Sequence, residues 1–202
     1  MSDVTLPATR QARVERRTRE TQIELALDLD GAGRVEASTG LGFFDHMLTA
    51  LGTHAGFDLR VAAAGDLQVD AHHTMEDVGI VLGQALRDAL GDKQGIARFG
   101  HAYVPLDEAL ARAVVDLSGR GYLRYRARFR VERVGEVPTE LFEDFFHALS
   151  DHGRFNLHLH VLHGRNGHHC AEAMFKATAR ALRMAVARDP RTTGVPSTKG
   201  VL

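Results

Sequence analysis

Three blocks of residues recur in the same order in the two halves of this chain. At an offset of 96, His72/His168, His73/His169, Glu76/Glu172, Ala85/Ala181, Leu86/Leu182, Arg87/Arg183 and Ala89/Ala185 coincide. At an offset of 98, Phe44/Phe142, Asp45/Glu143, Ala50/Ala148, Leu51/Leu149, His54/His152, Phe57/Phe155 and Leu59/Leu157 line up. At an offset of 88, Glu20/Glu108, Asp28/Asp116, Leu29/Leu117, Gly31/Gly119 and Gly33/Gly121 do. Offsets that change only between blocks mean one duplicated unit with insertions and deletions in its loops. The fold must therefore be two equivalent halves.

Hydrophobic period predicts the elements of each half. Val14–Asp30 alternates, with Ile23, Leu25, Leu27 and Leu29 on one face and Glu20, Gln22, Glu24 and Asp28 on the other, as in a strand with one wet face. Gly31-Ala32-Gly33 turns the chain into a strand over Arg34–Thr39. Phe44, Met47, Leu48 and Leu51 form one stripe of a helix over Phe43–Thr53. Strands over Asp58–Ala64 and Leu67–Asp70 follow, then a helix over His72–Leu90 stopped by Gly91. The second half reads alike: strands over Leu106–Ser118 and Tyr122–Val131, a helix after Pro138, a strand over Asn156–Leu162 and a helix over His168–Ala187. The first half thus reads β-β-α-β-β-α, and the duplication implies the same order for the second, where the period itself marks three strands. The expected class is α/β, an α+β sandwich of two four-stranded sheets enclosing a layer of helices. The expected boundaries are a flexible tail over 1–12, repeats over 13–93 and 94–189, and a C-terminal loop over 190–202.

Composition removes several classes. Net charge of −1 and 6% aromatics argue against a nucleic-acid surface. The single cysteine, Cys170, excludes an internal disulfide and a thiolate zinc site. No segment reads as a signal peptide or membrane span, so a cytoplasmic protein is expected.

The chemistry gathers in the repeated His-His-x-x-Glu. On a helix, positions four apart lie about 40° apart and positions three apart about 60° apart, so Glu76 neighbours both His72 and His73. The two imidazoles diverge by about 100° and suit two metals, or a metal and a substrate, better than one shared ion. His72, His73, Glu76, His168, His169 and Glu172 are together enough for two ions with open positions. His46 and its repeat partner Asp144 extend the set. Nitrogen and carboxylate donors without thiolate suit manganese, iron, nickel or zinc. Asp45 and Glu143 are candidate acceptors for imidazole N–H groups. His54, His152 and His101 read as structural or surface residues. Arg98, Arg120, Lys176 and Lys199 are candidate phosphate holders, Lys199 within Pro196-Ser197-Thr198-Lys199-Gly200.

The stretch from Arg17 to Glu20, Phe44-Asp45-His46-Met47, His72-His73-Thr74-x-Glu76-Asp77, Asp116-Leu117-Ser118-Gly119-Arg120, Gly164-Arg165-Asn166-x-His168-His169, Glu172-x-x-Phe175-Lys176-Ala177 and Pro196-Ser197-Thr198-Lys199-Gly200 together resemble imidazoleglycerol-phosphate dehydratases of histidine biosynthesis. The likeness runs from about residue 13 to the C-terminus. It implies a lyase that removes water from D-erythro-imidazole-glycerol phosphate to give imidazole-acetol phosphate. It also implies a homo-oligomeric shell of 24 subunits, with two manganese ions in each active site at a subunit interface; other divalent metals would also fit. No nucleic-acid or membrane partner is expected.

Carried over, the ligands would be His46, His72, His73, Glu76, His168, His169 and Glu172. Asp144 stands where the family usually has a histidine; an aspartate ligates through oxygen with a shorter reach. Glu20 would be the leading acid/base, with Glu108 behind it, and His46 and Glu172 would shuttle protons as well as ligate. Arg98, Arg120, Lys176, Ser197, Thr198 and Lys199 would hold the phosphate, and Glu20, His72 and His168 would touch substrate. The chemical problem is a C–H proton that no carbonyl acidifies. A substrate imidazole held as imidazolate between two metals could expel the hydroxyl and pass through a neutral diazafulvene. The rival expectations are a metal-storage shell and a two-metal phosphate hydrolase.

Overall fold

The structure is a computed structural model and describes residues 9–202. Its first half runs β1 (Gln11–Arg17), β2 (Thr21–Asp28), β3 (Val35–Ser38), α1 (Gly42–Ala55), β4 (Asp58–Gly65) and α2 (His72–Leu90). The second runs β5 (Phe99–Leu106), β6 (Ala109–Asp116), β7 (Tyr122–Arg126), then a small ribbon of β8 (Arg133–Val134) and β9 (Val137–Pro138), α3 (Leu141–His152), β10 (Asn156–His163) and α4 (Gly167–Val186). The two main sheets have four strands each, ordered β1-β2-β4-β3 and β5-β6-β10-β7. These are the same order under the repeat, including the parallel pairing of β3 with β4 and of β7 with β10.

The α+β sandwich and the four strands per half agree with expectation, but the order within each half is β-β-β-α-β-α. The long alternating strand over Val14–Asp30 is a hairpin instead. The Thr18 hydroxyl accepts the backbone N–H groups of Glu20 and Thr21, making a tight turn without glycine or proline to announce it. In the second half Asp107 turns the chain at φ 45° between β5 and β6; the strand expected over Leu106–Ser118 is β6, Ala109–Asp116, and β5 over Phe99–Leu106 is a strand that was not expected. Leu67–Asp70 is no strand: Val69 N–H closes a turn on the Asp66 carbonyl at 2.7 Å. The strand expected over Tyr122–Val131 stops at Arg126. Of the expected tail, residues 1–8 lie outside the described residues. Arg10 is buried on Asp30 and on the carbonyl of Val186, and Gln11 and Ala12 already pair with Asp28 and Leu27 in β1. Among the described residues no helix is long and apolar enough to cross a membrane.

Packing crosses the two halves. Helix α2 lies on α3, and α1 on α4, while α2 also covers β1 and β2 and α4 covers β5 and β6. One hydrophobic core therefore contains Ile23, Leu48 and Met75 from one half and Phe145, Leu157 and Phe175 from the other. Phe145 and Phe175 stack at 5.3 Å between ring centres.

Helices α2 and α3 approach through glycine. A Cβ on Gly79 would stand 2.7 Å from the Phe145 carbonyl oxygen and 3.0 Å from the Ala148 Cβ. This approach brings the start of α2 beside the start of α3. Gly79→Ala is expected to lower stability by about 1–3 kcal/mol, because neither backbone can move without repacking the core. Urea denaturation of the variant checks this.

Candidate active site

The paired histidines open helices, and in each half a polar residue just before the pair holds the first turn. Asn166 accepts the N–H groups of His168 and His169 through its side chain, and Asp70 accepts the N–H of His72 at 2.7 Å. The cross-half helix packing then builds two clusters related by the duplication.

In the first cluster, α1 supplies His46 and α4 supplies His168 and Glu172. The Nε2 atoms of His46 and His168 lie 3.2 and 2.9 Å from the same Glu172 oxygen, Oε2. One ligand atom from each of the three residues lies within 4.8 Å of the others. A divalent ion with bonds of about 2.0–2.2 Å spaces its ligands roughly 3–4 Å apart, so a small closure suffices to bind one. The donors suit a borderline metal, and the set fits. The other Glu172 oxygen, Oε1, lies 2.6 Å from Lys176 Nζ. Burial alone would raise this carboxyl; Lys176, His168 and His46 outweigh burial and bring it to about 2.

The second cluster exchanges the halves: α2 supplies His72 and Glu76, and α3 supplies Asp144. It is looser. His72 Nε2 stands 3.9 Å from Glu76, and His72 Nδ1 stands 3.5 Å from Asp144. Glu76 and Asp144 thus flank opposite ring nitrogens, whereas in the first cluster all three groups face one point.

The remaining histidine of each pair turns away from its own cluster. His73 Nδ1 is held by Asp66 at 3.1 Å, and this contact raises its pKa. His169 Nδ1 is held by Glu108 at 2.8 Å. Each Nε2 is left facing outward, near Glu20 Oε1 at 3.8 Å for His73 and near Asp107 at 3.8 Å for His169. A carboxylate on Nδ1 fixes the tautomer that presents a lone pair at Nε2, the usual support for a metal-binding imidazole.

These supporting carboxylates are not the expected ones. Asp45 accepts the backbone N–H and hydroxyl of Thr39 and so ties β3 to the start of α1. Glu143 is exposed on α3. Asp66 went unseen because its repeat partner at the offset of 98 is Gly164, so the duplication gave it no weight. Glu108, expected as the second acid/base, is already engaged. His169 and the N–H groups of Asn166 and Arg165 pull its pKa to about 2. A carboxyl lowered in the folded state stabilises above its ordinary value of 4.5 and loses that contribution as pH falls toward about 2. In metal-free protein the Glu108–His169 contact is therefore expected to persist at pH 4 and to open near pH 2, visible as loss of amide-exchange protection at Asn166.

The phosphate candidates divide. Lys176 belongs to the first cluster. Arg98, at φ 67°, grips Asp116 at 2.7 and 3.2 Å and the Pro196 carbonyl at 2.8 Å, which pins the C-terminal loop. A Cβ on Gly119 would touch the Leu202 backbone at 2.5 Å, so the turn carrying Arg120 meets the end of this loop. Thr198, Lys199 and Arg120 are exposed and Ser197 is half-buried. Arg98 N–H bonds the Ala185 carbonyl near the end of α4. Ala185 is 13 residues beyond Glu172, and at 1.5 Å per residue that is about 20 Å along the helix. Within one chain, the loop with Ser197, Thr198 and Lys199 and the Glu172 cluster are far apart.

Residues 39–182 match the family profile described as Imidazoleglycerol-phosphate dehydratase. The protein of that name from Acidiphilium cryptum is 61% identical over 195 residues, covering 96% of this chain and 100% of that protein. Its counterpart in Lacticaseibacillus casei is 56% identical over 193 residues, covering 96% and 100%. Among solved structures, imidazoleglycerol-phosphate dehydratase from Staphylococcus aureus superposes with a TM-score of 0.80 at 40% identity, covering 88% of this chain and 99% of that one. The enzyme from Pyrococcus furiosus, in complex with (S)-C348, gives a TM-score of 0.81 at 36% identity, covering 94% and 100%. With matching sequence over nearly the whole length and the same architecture, this chain belongs to the imidazoleglycerol-phosphate dehydratase family.

Proposed function

We propose that this protein removes water from D-erythro-imidazole-glycerol phosphate to give imidazole-acetol phosphate, a step of histidine biosynthesis. The observation that carries the reading is the pair of duplicated histidine–carboxylate clusters, with one carboxylate outside both, Glu20, beside the outward Nε2 of His73. A cytoplasmic location, and no nucleic-acid or membrane partner, go with it.

His46, His168 and Glu172 would hold one divalent ion, manganese being the first candidate; His72 and Glu76 would hold another, joined by Asp144 only once the His72 ring turns, since Asp144 stands at the opposite ring nitrogen. When bound, such ions would acidify the ring N–H and so favour the substrate imidazole as imidazolate, whose electron density helps expel the hydroxyl. His73 and His169 present Nε2 away from their own clusters, so they would complete the clusters of neighbouring copies. The separation of about 20 Å along α4 between Glu172 and Ala185, beside Arg98, supports the same assembly, because a substrate with a three-carbon side chain cannot span it within one chain. A closed homo-oligomer of 24 copies, with active sites between subunits, meets both requirements.

Arg98, Arg120, Ser197, Thr198 and Lys199 would hold the phosphate through charge and hydroxyl donors. Lys176 would join them only by leaving Glu172; where it stands, it keeps that carboxylate charged. Glu20 would take the proton from carbon and return one to the leaving oxygen or the enol. His46 and Glu172, in contact with each other, would relay protons on the opposite side. Product analysis tests the reading: loss of one water with the phosphate ester intact supports it, and release of inorganic phosphate would mark a hydrolase and sink it.

A further inference from the structure

We infer that Asp77 is a positioning residue that sets Glu20 for catalysis through a network present in only one of the two halves. The inference rests on the reading of Glu20 as the acid/base. Asp77 lies one position after Glu76 on α2 and is 5% exposed. Its Oδ2 accepts the Thr21 hydroxyl, and its Oδ1 lies 2.9 Å from Arg16 Nε, an ion pair whose N–H is not aligned on the oxygen. Arg16 and Thr21 bracket the β1–β2 turn. Inside it, the Thr18 hydroxyl is 3.3 Å from the Thr21 hydroxyl and accepts the backbone N–H of Glu20 at 3.0 Å. The Glu20 carbonyl accepts the N–H of Asp66, whose carboxylate holds His73. Both backbone polar groups of Glu20 are thus fixed, and among the described residues the carboxylate makes no hydrogen bond and stands 3.8 Å from His73 Nε2.

The second half is the internal control. Glu108 occupies the position of Glu20, but Arg16, Thr18, Thr21 and Asp77 correspond to Val104, Leu106, Ala109 and Ala173. Glu108 has no such network beneath it, and its carboxylate is consumed by His169 and two backbone N–H groups. Both halves keep the His-His-x-x-Glu triplet, yet only one keeps the buried carboxylate and hydroxyls under the turn. A network needed merely to fold the hairpin would be expected in both, since both hairpins form. The asymmetry follows the placement of a free carboxylate, and buried polar networks of this kind hold such a group within the tolerance that catalysis needs.

The test is a double-mutant cycle on the assembled, manganese-loaded protein. Asp77→Asn is expected to lower kcat by about 10- to 100-fold, the scale of a small misplacement of a reacting group. KM and manganese per chain should stay within about threefold, since the Asp77 side chain contacts Thr21 and Arg16 and none of the histidines or carboxylates of the clusters. In a Glu20→Gln background the same change should cost nothing further, because the group it positions is gone. Thr21→Val, which cuts the link without touching α2, should repeat the pattern if Asp77→Asn fails to fold. An equal loss of rate from Asp77→Asn with and without Glu20 would overturn the proposal, as would loss of manganese or full turnover in both Asp77→Asn and Thr21→Val. Full turnover in Glu20→Gln alone would instead remove Glu20 from the reaction, and this inference would fall with that reading.

Discussion

Glu20→Gln is expected to lower kcat by about a thousandfold, the middle of the range for loss of a general acid/base, with manganese content and oligomer size unchanged. Three features make this the largest separable effect in the molecule. The Glu20 side chain is 53% exposed and belongs to neither cluster, so the amide takes no ligand away. Its backbone is held by Thr18 and Asp66, so the amide stays where the carboxylate was. An amide cannot accept the proton from carbon. Because the change acts on chemistry rather than on ground-state binding, KM should move little. Steady-state kinetics beside elemental analysis checks it, and a variant that turns over at the parent rate would exclude Glu20.

Glu172→Gln should be as costly by a different route. This carboxylate is shared by His46, His168 and Lys176, and its side chain is 13% exposed. Replacing it leaves Lys176 without its anion and the two imidazoles without the charge that offsets a cation. Manganese affinity at this cluster is expected to fall by more than about 100-fold, beyond the usual cost of losing a supporting contact. Turnover should be lost at ordinary metal concentrations. Metal-free protein should also lose about 1–3 kcal/mol, the cost of stranding a half-buried charge. The sign with pH follows from the lowered carboxyl: its contribution is present above the ordinary value of 4.5 and is lost as pH falls toward about 2. The variant should therefore differ from the parent in melting temperature at pH 7 and converge with it near pH 2.

Much of this site was legible because duplication doubles every signal. His-His-x-x-Glu at one place is an ordinary helix start; at two places in register it singles out a candidate ligand set, and the packing of α1 on α4 and α2 on α3 explains why His46 and Asp144 come to lie beside it. What stayed hidden was whatever the halves do not share. Asp66 faces Gly164 across the repeat, and Asp77 faces Ala173, so neither gained support from its partner. The β1–β2 turn was unreadable for a local reason: hydroxyl-to-backbone bonds made it, inside a wholly polar stretch, Glu15–Gln22, with no glycine or proline to mark a break. Which carboxylate is free and which is spent, Glu20 or Glu108, is a matter of hydrogen-bond partners that period and spacing do not carry.

The central claim is that two divalent ions, held by the two clusters, are needed for dehydration. Elemental analysis together with a dehydratase assay, on chelator-stripped and manganese-restored protein, tests it most directly. The expected result is negligible turnover after stripping and recovery in step with manganese up to two ions per chain. Full dehydratase activity in protein stripped of metal would contradict it.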